Sequence, residues 1–168
     1  PKRIVFAEAD TYKILKASQA ARAAGLATPL LLGEVEKINR LIQENSLDLG
    51  DTPIIDPRDA SQEDNRTRFG ELFYQKQKRK GFTPYESKKV MTERNYFGAM
   101  MVETGMADGM ISGLTRKYGA PIKPALQCIG VQEGVNRVAG MYIMSTRIGN
   151  FFFADTTMNV DPTAQELV

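Results

Sequence analysis

Between residues 107 and 126 (ADGMISGLTRKYGAPIKPAL) the chain gathers the side chains best suited to hold an anion: Ser112, Thr115, Arg116, Lys117 and Lys123, with Gly113 beside the serine. Residues 108–111 are short and apolar enough for a buried strand, and Ser112-Gly113 then allows a sharp turn with its N–H groups facing a ligand. Pro121 and Pro124 fit the first turn of a helix over residues 122–129, where a missing N–H costs little. A helix start attracts anions through its dipole and free N–H groups, and the three cations add fixed charge. That chemistry suits a phosphate or pyrophosphate. The same residues also fit a plain strand-to-helix connection with solvated lysines, and both readings stay open on chemistry alone. No GxGxxG or GxxxxGK[ST] is present, so neither nucleotide fingerprint applies.

A second cationic cluster, Lys78, Arg79 and Lys80, ends a helix expected over residues 61–80. Cations in a last helical turn complement the dipole; alternatively they clamp a ligand's phosphates. Gly81 stops the helix and Thr83-Pro84-Tyr85-Glu86 starts another with capping-box spacing, which makes the corner a defined one. Glu8 and Asp10 follow the first strand, where doubly wound sheets place ligands, although Asp10 or Thr11 can equally cap the helix that follows. Histidine is absent, which excludes Ser-His-Asp and Cys-His catalysis within the chain and removes the commonest zinc ligand. No metal site is expected. Cys128 lies in the apolar run LQCI and reads as a packed thiol rather than a nucleophile.

The elements that must position these groups alternate. Strands are expected at residues 3–7, 29–33 and 53–56, with helices over 12–24 and 34–45. Further helices follow at 84–93 and 96–104. This is an α/β pattern, with three layers (αβα) around a mostly parallel sheet. Residues 138–145 and 151–155 read as an antiparallel hairpin that joins the sheet, with Phe151, Phe152 and Phe153 buried on both faces. The chain has 42% hydrophobic and 25% charged residues and a net charge of +2, so it is an ordinary globular chain with no argument for nucleic acid. No stretch approaches the about 20 apolar residues that span a bilayer, no signal-peptide hydrophobic region is seen, and one lone cysteine fits a reducing cytoplasm.

Several blocks are similar, in order, to the phosphate acetyl/butyryltransferase family: Arg3-Ile4-Val5-Phe6-Ala7-Glu8, Pro29-Leu30-Leu31-Leu32-Gly33, Lys80-Gly81, Tyr96-Phe97-Gly98, Ala107-Asp108-Gly109 with Ser112-Gly113, Lys123-Pro124-Ala125-Leu126 and Asn159-Val160-Asp161-Pro162. The resemblance covers the whole chain and implies an isocitrate/isopropylmalate dehydrogenase-like fold. Family units are longer, so residues 1–160 would form the N-terminal half of the unit and 161–168 would start a helix leading to the second half. Within the family the chain most resembles the domain at the C-terminal end of hybrid NADP-dependent malic enzymes. The transferases carry arginines where this chain has Gln77 and Lys123, and arginine and lysine are not interchangeable at a bidentate phosphate contact.

The preferred expectation is therefore an acetyl-CoA-binding regulatory domain of a malic enzyme, with NADP and a divalent metal only in that attached domain. The alternatives are a catalytic phosphate acetyltransferase, making acetyl phosphate and CoA from acetyl-CoA and phosphate, or a domain that only builds an oligomer. The implied partners are acetyl-CoA or acetyl phosphate, the malic-enzyme domain and further copies of the chain, with no nucleic acid and no membrane. The base and further anion-binding residues would come from the family's second half, so the fragment alone is expected to have no turnover.

Overall fold

The computed structural model describes residues 1–135, 137–155, 157–159 and 163 of the chain. They fall into two compact units, Pro1–Gly130 and Val131–Val168. The helix expected from residue 161 onwards, and residues 160–162 of the last family block, lie outside the described residues.

The first unit is built on four parallel strands, β1 (Lys2–Phe6), β2 (Ala27–Leu32), β3 (Ile54–Ile55) and β4 (Gly109–Ile111), in the order β3-β2-β1-β4. The register pairs Val5 with Leu30 on one side and Met110 on the other. Successive strand residues face opposite layers. Ile4, Phe6 and Leu31 pack with Leu15 and Ile38 of α1 (Tyr12–Ala23) and α2 (Val35–Glu44). Val5, Leu32 and Met110 pack into the other apolar cluster, with Phe69, Phe73, Phe97 and Met100. Those residues come from α3 (Glu63–Gln77) and α5 (Arg94–Glu103), and the same layer takes Met91, next to α4 (Pro84–Val90), and Cys128 at the end of α6 (Gly119–Cys128). Strands with apolar residues on both faces need helices on both faces, and the result is the expected αβα sandwich.

Local signals set several corners. Gly81 takes φ +91 after a 3-10 turn formed by Lys78–Lys80, where the longer single helix was expected. Thr83 and Glu86 form the capping box in full. Asp108 sits at the amino end of β4 and accepts the Arg3 N–H at 2.7 Å, while its own N–H reaches the Arg3 carbonyl at 2.8 Å. The hydrogen bonds from Arg3 hold its carboxyl below the usual aspartate range. Asp108 thus ties β4 to β1 at the edge away from the strands' carboxyl ends.

The second unit contains the hairpin, β5 (Met141–Thr146) and β6 (Gly149–Ala154), joined by Arg147-Ile148. Its pairing corrects the expectation: β5 and β6 make a two-stranded sheet of their own and do not extend the parallel one. All twelve strand residues are exposed, so the burial of Phe151, Phe152 and Phe153 expected from their apolar run is not found. The base of the hairpin is knotted by Asp155, whose N–H donates to the Gly140 carbonyl and whose carboxylate accepts from Asn159. Among the described residues no helix is long and apolar enough to cross a membrane.

Candidate functional site

The chain leaves β1 toward β2 and comes back to the other side of β1 only as β4. Connections on the two sides of β1 therefore diverge at the carboxyl ends of β1 and β4, and a crevice opens there in doubly wound sheets. Ladder-like bonds continue past the strand ends: the Ala7 N–H donates to the Ile111 carbonyl at 3.1 Å and the Ala9 N–H to the Leu32 carbonyl at 3.2 Å. Glu8 is held between them and is 3% exposed.

The turn after β4 is not open in the way its sequence implies. Glu8 Oε2 accepts the N–H of Leu114 at 2.8 Å and of Thr115 at 3.0 Å. The turn's amides already bind an anion, the chain's own carboxylate. Gly113 takes φ +112, a conformation that favours glycine. The Ser112 hydroxyl donates to Asn95 Oδ1 at 2.7 Å, and Asn95 is itself anchored by Glu93, which accepts the N–H groups of Asn95 and Tyr96 at the start of α5. Asn95 gave no signal in the sequence, since an asparagine at a helix start reads as a local cap. Neither Asp10 nor Thr11 caps α1 with its side chain; Asp10 pairs with Arg94 at 2.6 Å and Lys37 at 3.1 Å.

Helix α6 starts at Gly119, three residues before the expected position, which puts Pro121 in the first turn but Pro124 inside the helix. The missing Pro124 N–H leaves the Ala120 carbonyl without its intrahelical donor. Two cavities flank this helix. The larger, about 450 Å³, is lined by Met110, Ser112, Gly113, Arg116, Tyr118 and Ile122 among others. The smaller, about 260 Å³, is lined by Asn95, Tyr96, Arg116, Ala120 and Lys123 among others. Arg116 borders both, Lys123 only the smaller, and Lys117 neither. All three cations are exposed, and none is paired with a carboxylate among the described residues. Unpaired cations grouped at one helix start keep their full charge for an incoming anion.

The other basic cluster lies elsewhere. Gln77 donates to the Gln127 carbonyl at 2.6 Å and Lys76 to the Cys128 carbonyl at 2.7 Å, so the end of α3 caps the carboxyl end of α6. At 1.5 Å per residue that end is roughly 12 Å from the helix start. Lys78, Arg79 and Lys80 follow there, exposed, with Lys78 bound to Gln75. Gln77 is buried in this cap. Burial pushes the Cys128 thiol up to about 12, which leaves it protonated and poorly nucleophilic. Burial likewise raises the Tyr96 hydroxyl, which donates to Gln127 Oε1 at 2.5 Å.

A parallel sheet with helices on both faces defines an α/β protein, and the cations at the start of α6 make that corner its candidate anion site. The comparisons narrow that class: the whole chain, residues 1–168, matches the phosphate acetyl/butaryl transferase family, and it belongs to that family. It is 34% identical to a phosphate acetyltransferase of Synechocystis sp. over 99% of this chain and 24% of that protein. Against the Bacillus subtilis phosphate acetyltransferase the identity is 32%, over 98% of this chain and 50% of the relative. A solved phosphotransacetylase from Streptococcus pyogenes superposes with a TM-score of 0.85 at 32% identity, covering 98% of this chain and 50% of that one. The chain thus spans half or less of the length of these relatives.

These relatives are phosphate acetyltransferases and not malic-enzyme domains, which overturns the expectation of a regulatory domain on a malic enzyme. The NADP and divalent metal expected on an attached malic-enzyme domain rested on that reading alone.

Proposed function

We propose that the chain forms the phosphate-side half of a phosphate acetyltransferase, which converts acetyl-CoA and inorganic phosphate to acetyl phosphate and CoA. The observation that carries this reading is the group of carboxylate-free cations, Arg116, Lys117 and Lys123, at the start of α6 beside the β1/β4 switch point. A phosphate oxygen attacks the thioester carbonyl carbon, the carbon–sulfur bond breaks, and CoA leaves as a thiolate that takes up a proton. Negative charge grows on the carbonyl oxygen in between, and the cations at the start of α6 stabilise it. Arg116, bordering both cavities, and Lys123 take the phosphate. Ser112, Gly113 and Thr115 form the wall of the turn, and Lys117 adds charge from outside the cavities. Met110, Pro121, Ile122 and Ala125 give the larger cavity an apolar wall suited to the acyl group and the adjoining chain of CoA. Lys78, Arg79 and Lys80, at the far end of α6, come within reach only of an extended ligand such as CoA.

The test is CoA release from acetyl-CoA by the intact protein that carries this chain, with and without inorganic phosphate. Phosphate-dependent release together with acetyl phosphate is expected. Arg116→Ala should then lower kcat/KM for phosphate by about 10- to 100-fold, the size of a lost charged hydrogen bond. Tight acetyl-CoA binding without acetyl phosphate would overturn the catalytic reading.

A further inference from the structure

Glu8 is the buried polar group that the proposed chemistry leaves unexplained. One carboxylate oxygen takes two amides of the turn after β4, and the other, Oε1, is buried without a hydrogen-bond partner. Burying a carboxylate with an unused oxygen is costly, and a chain that needed only to close a turn would do so with a backbone carbonyl or a small cap. The backbone at Glu8 is pinned to β4 through Ala7 and to β2 through Ala9, so the carboxylate is a fixed post against which the turn is held. The second of the two clamped amides belongs to Thr115, the residue just before Arg116, and Arg116 is the one cation bordering both cavities.

We infer that Glu8 is a positioning residue: by clamping the amides of Leu114 and Thr115 it sets where the Arg116 guanidinium stands and leaves the substrate anion to be read by side-chain cations instead of by the turn. The inference rests on the phosphate-side reading above. It has an electrostatic consequence. An anion seated on the turn's amides would have to displace a carboxylate already there, whereas one seated at Arg116 and Lys123 meets no such competitor.

The test compares Glu8→Ala, Glu8→Asp and Glu8→Gln in the intact protein, measuring KM for phosphate and for acetyl-CoA separately. Alanine removes the clamp, and aspartate is one methylene too short to reach both amides; each should raise KM for phosphate tenfold or more while KM for acetyl-CoA stays within twofold. Glutamine keeps an oxygen for the two amides and should hold KM for phosphate within about threefold of the parent. A general loss of fold would instead lower kcat and the melting temperature without splitting the two KM values. If alanine does not fold, the aspartate and glutamine pair carries the same contrast. Unchanged phosphate KM in the aspartate variant, or equal rises for both substrates, overturns the role. If the parent protein forms no acetyl phosphate, the functional reading falls, and titration with inorganic phosphate followed by phosphorus NMR still decides the matter: weaker phosphate binding in aspartate but not in glutamine supports the clamp, and equal binding in all variants removes it.

Discussion

The parallel sheet and the hairpin carry equally apolar strands and meet opposite fates. In β1 and β2, Val5, Leu31 and Leu32 are fully buried, because helices lie over both faces of the sheet. In β5 and β6, Ile143 is 67% and Phe152 63% exposed, although their sequence is as apolar as that of β2. Strand content is therefore set by local composition, and burial by what the rest of the chain brings over each face. A two-stranded ribbon has no such cover of its own and is marginal in isolation.

The contrast predicts unequal sensitivity to the same substitution. Phe97 is 1% exposed and meets Phe69 edge to face at 5.1 Å, so Phe97→Ala should cost about 3–5 kcal/mol of stability. Phe152→Ala should change it by only about 0.5 kcal/mol. Thermal unfolding followed by circular dichroism reads both; similar losses would mean that the hairpin is packed in solution. Next in size is Gly98 on α5. A Cβ there would lie 2.7 Å from Met110 Sδ and 3.2 Å from both Leu32 Cδ1 and Val5 Cγ1. Alanine gains up to about 1 kcal/mol of helix propensity but overpacks the helix-sheet seam, by about 1–3 kcal/mol. Gly98→Ala should therefore destabilise the first unit on balance, and a stabilised variant would show that the seam yields.

The sequence was most legible where the cause is local. The capping box of Thr83 and Glu86 spans four residues and forms as read, and Gly81 takes the left-handed conformation expected after a helix end. The start of α6 was misjudged because two prolines cannot both occupy a first turn that begins at Gly119, and Pro124 is tolerated in the interior instead. The site was only half legible. Its cations lie together in sequence, but the bond that shapes the turn joins Glu8 to residues 106 and 107 positions later, and Asn95 reaches Ser112 across 17. Pairings of that span leave no trace in periodicity or propensity. The hairpin itself formed as its short Gly-containing connection implies, and only its place outside the parallel sheet and the exposure of its phenylalanines differ, since neighbours of a sheet are chosen across the fold.

A smaller effect than that of Gly98→Ala concerns the carboxyl end of β1, where ion pairs tie the loop to two helices. Asp10 lies in the loop after β1 and joins it to α5 through Arg94 and toward α2 through Lys37. Burial pushes its carboxyl up, but the hydrogen bonds and charges of Arg94 and Lys37 outweigh burial, and its pKa lies below the usual aspartate value. A carboxyl depressed in the folded state binds its proton more readily when unfolded. Its contribution is therefore complete above the unfolded pKa, near 4, and disappears as pH falls through the lower folded value. Because the carboxyl is partly exposed and screened, the contribution is about 1 kcal/mol or less. Asp10→Asn should thus lower the melting temperature at pH 7 by a few degrees and by progressively less below pH 4, so the two melting curves converge in acid. Phe152→Ala removes no titrating group, so it should leave the pH dependence of melting as it is. A pH-independent deficit in Asp10→Asn would assign its effect to lost loop geometry, leaving the carboxyl end of the sheet held by packing, as its centre is.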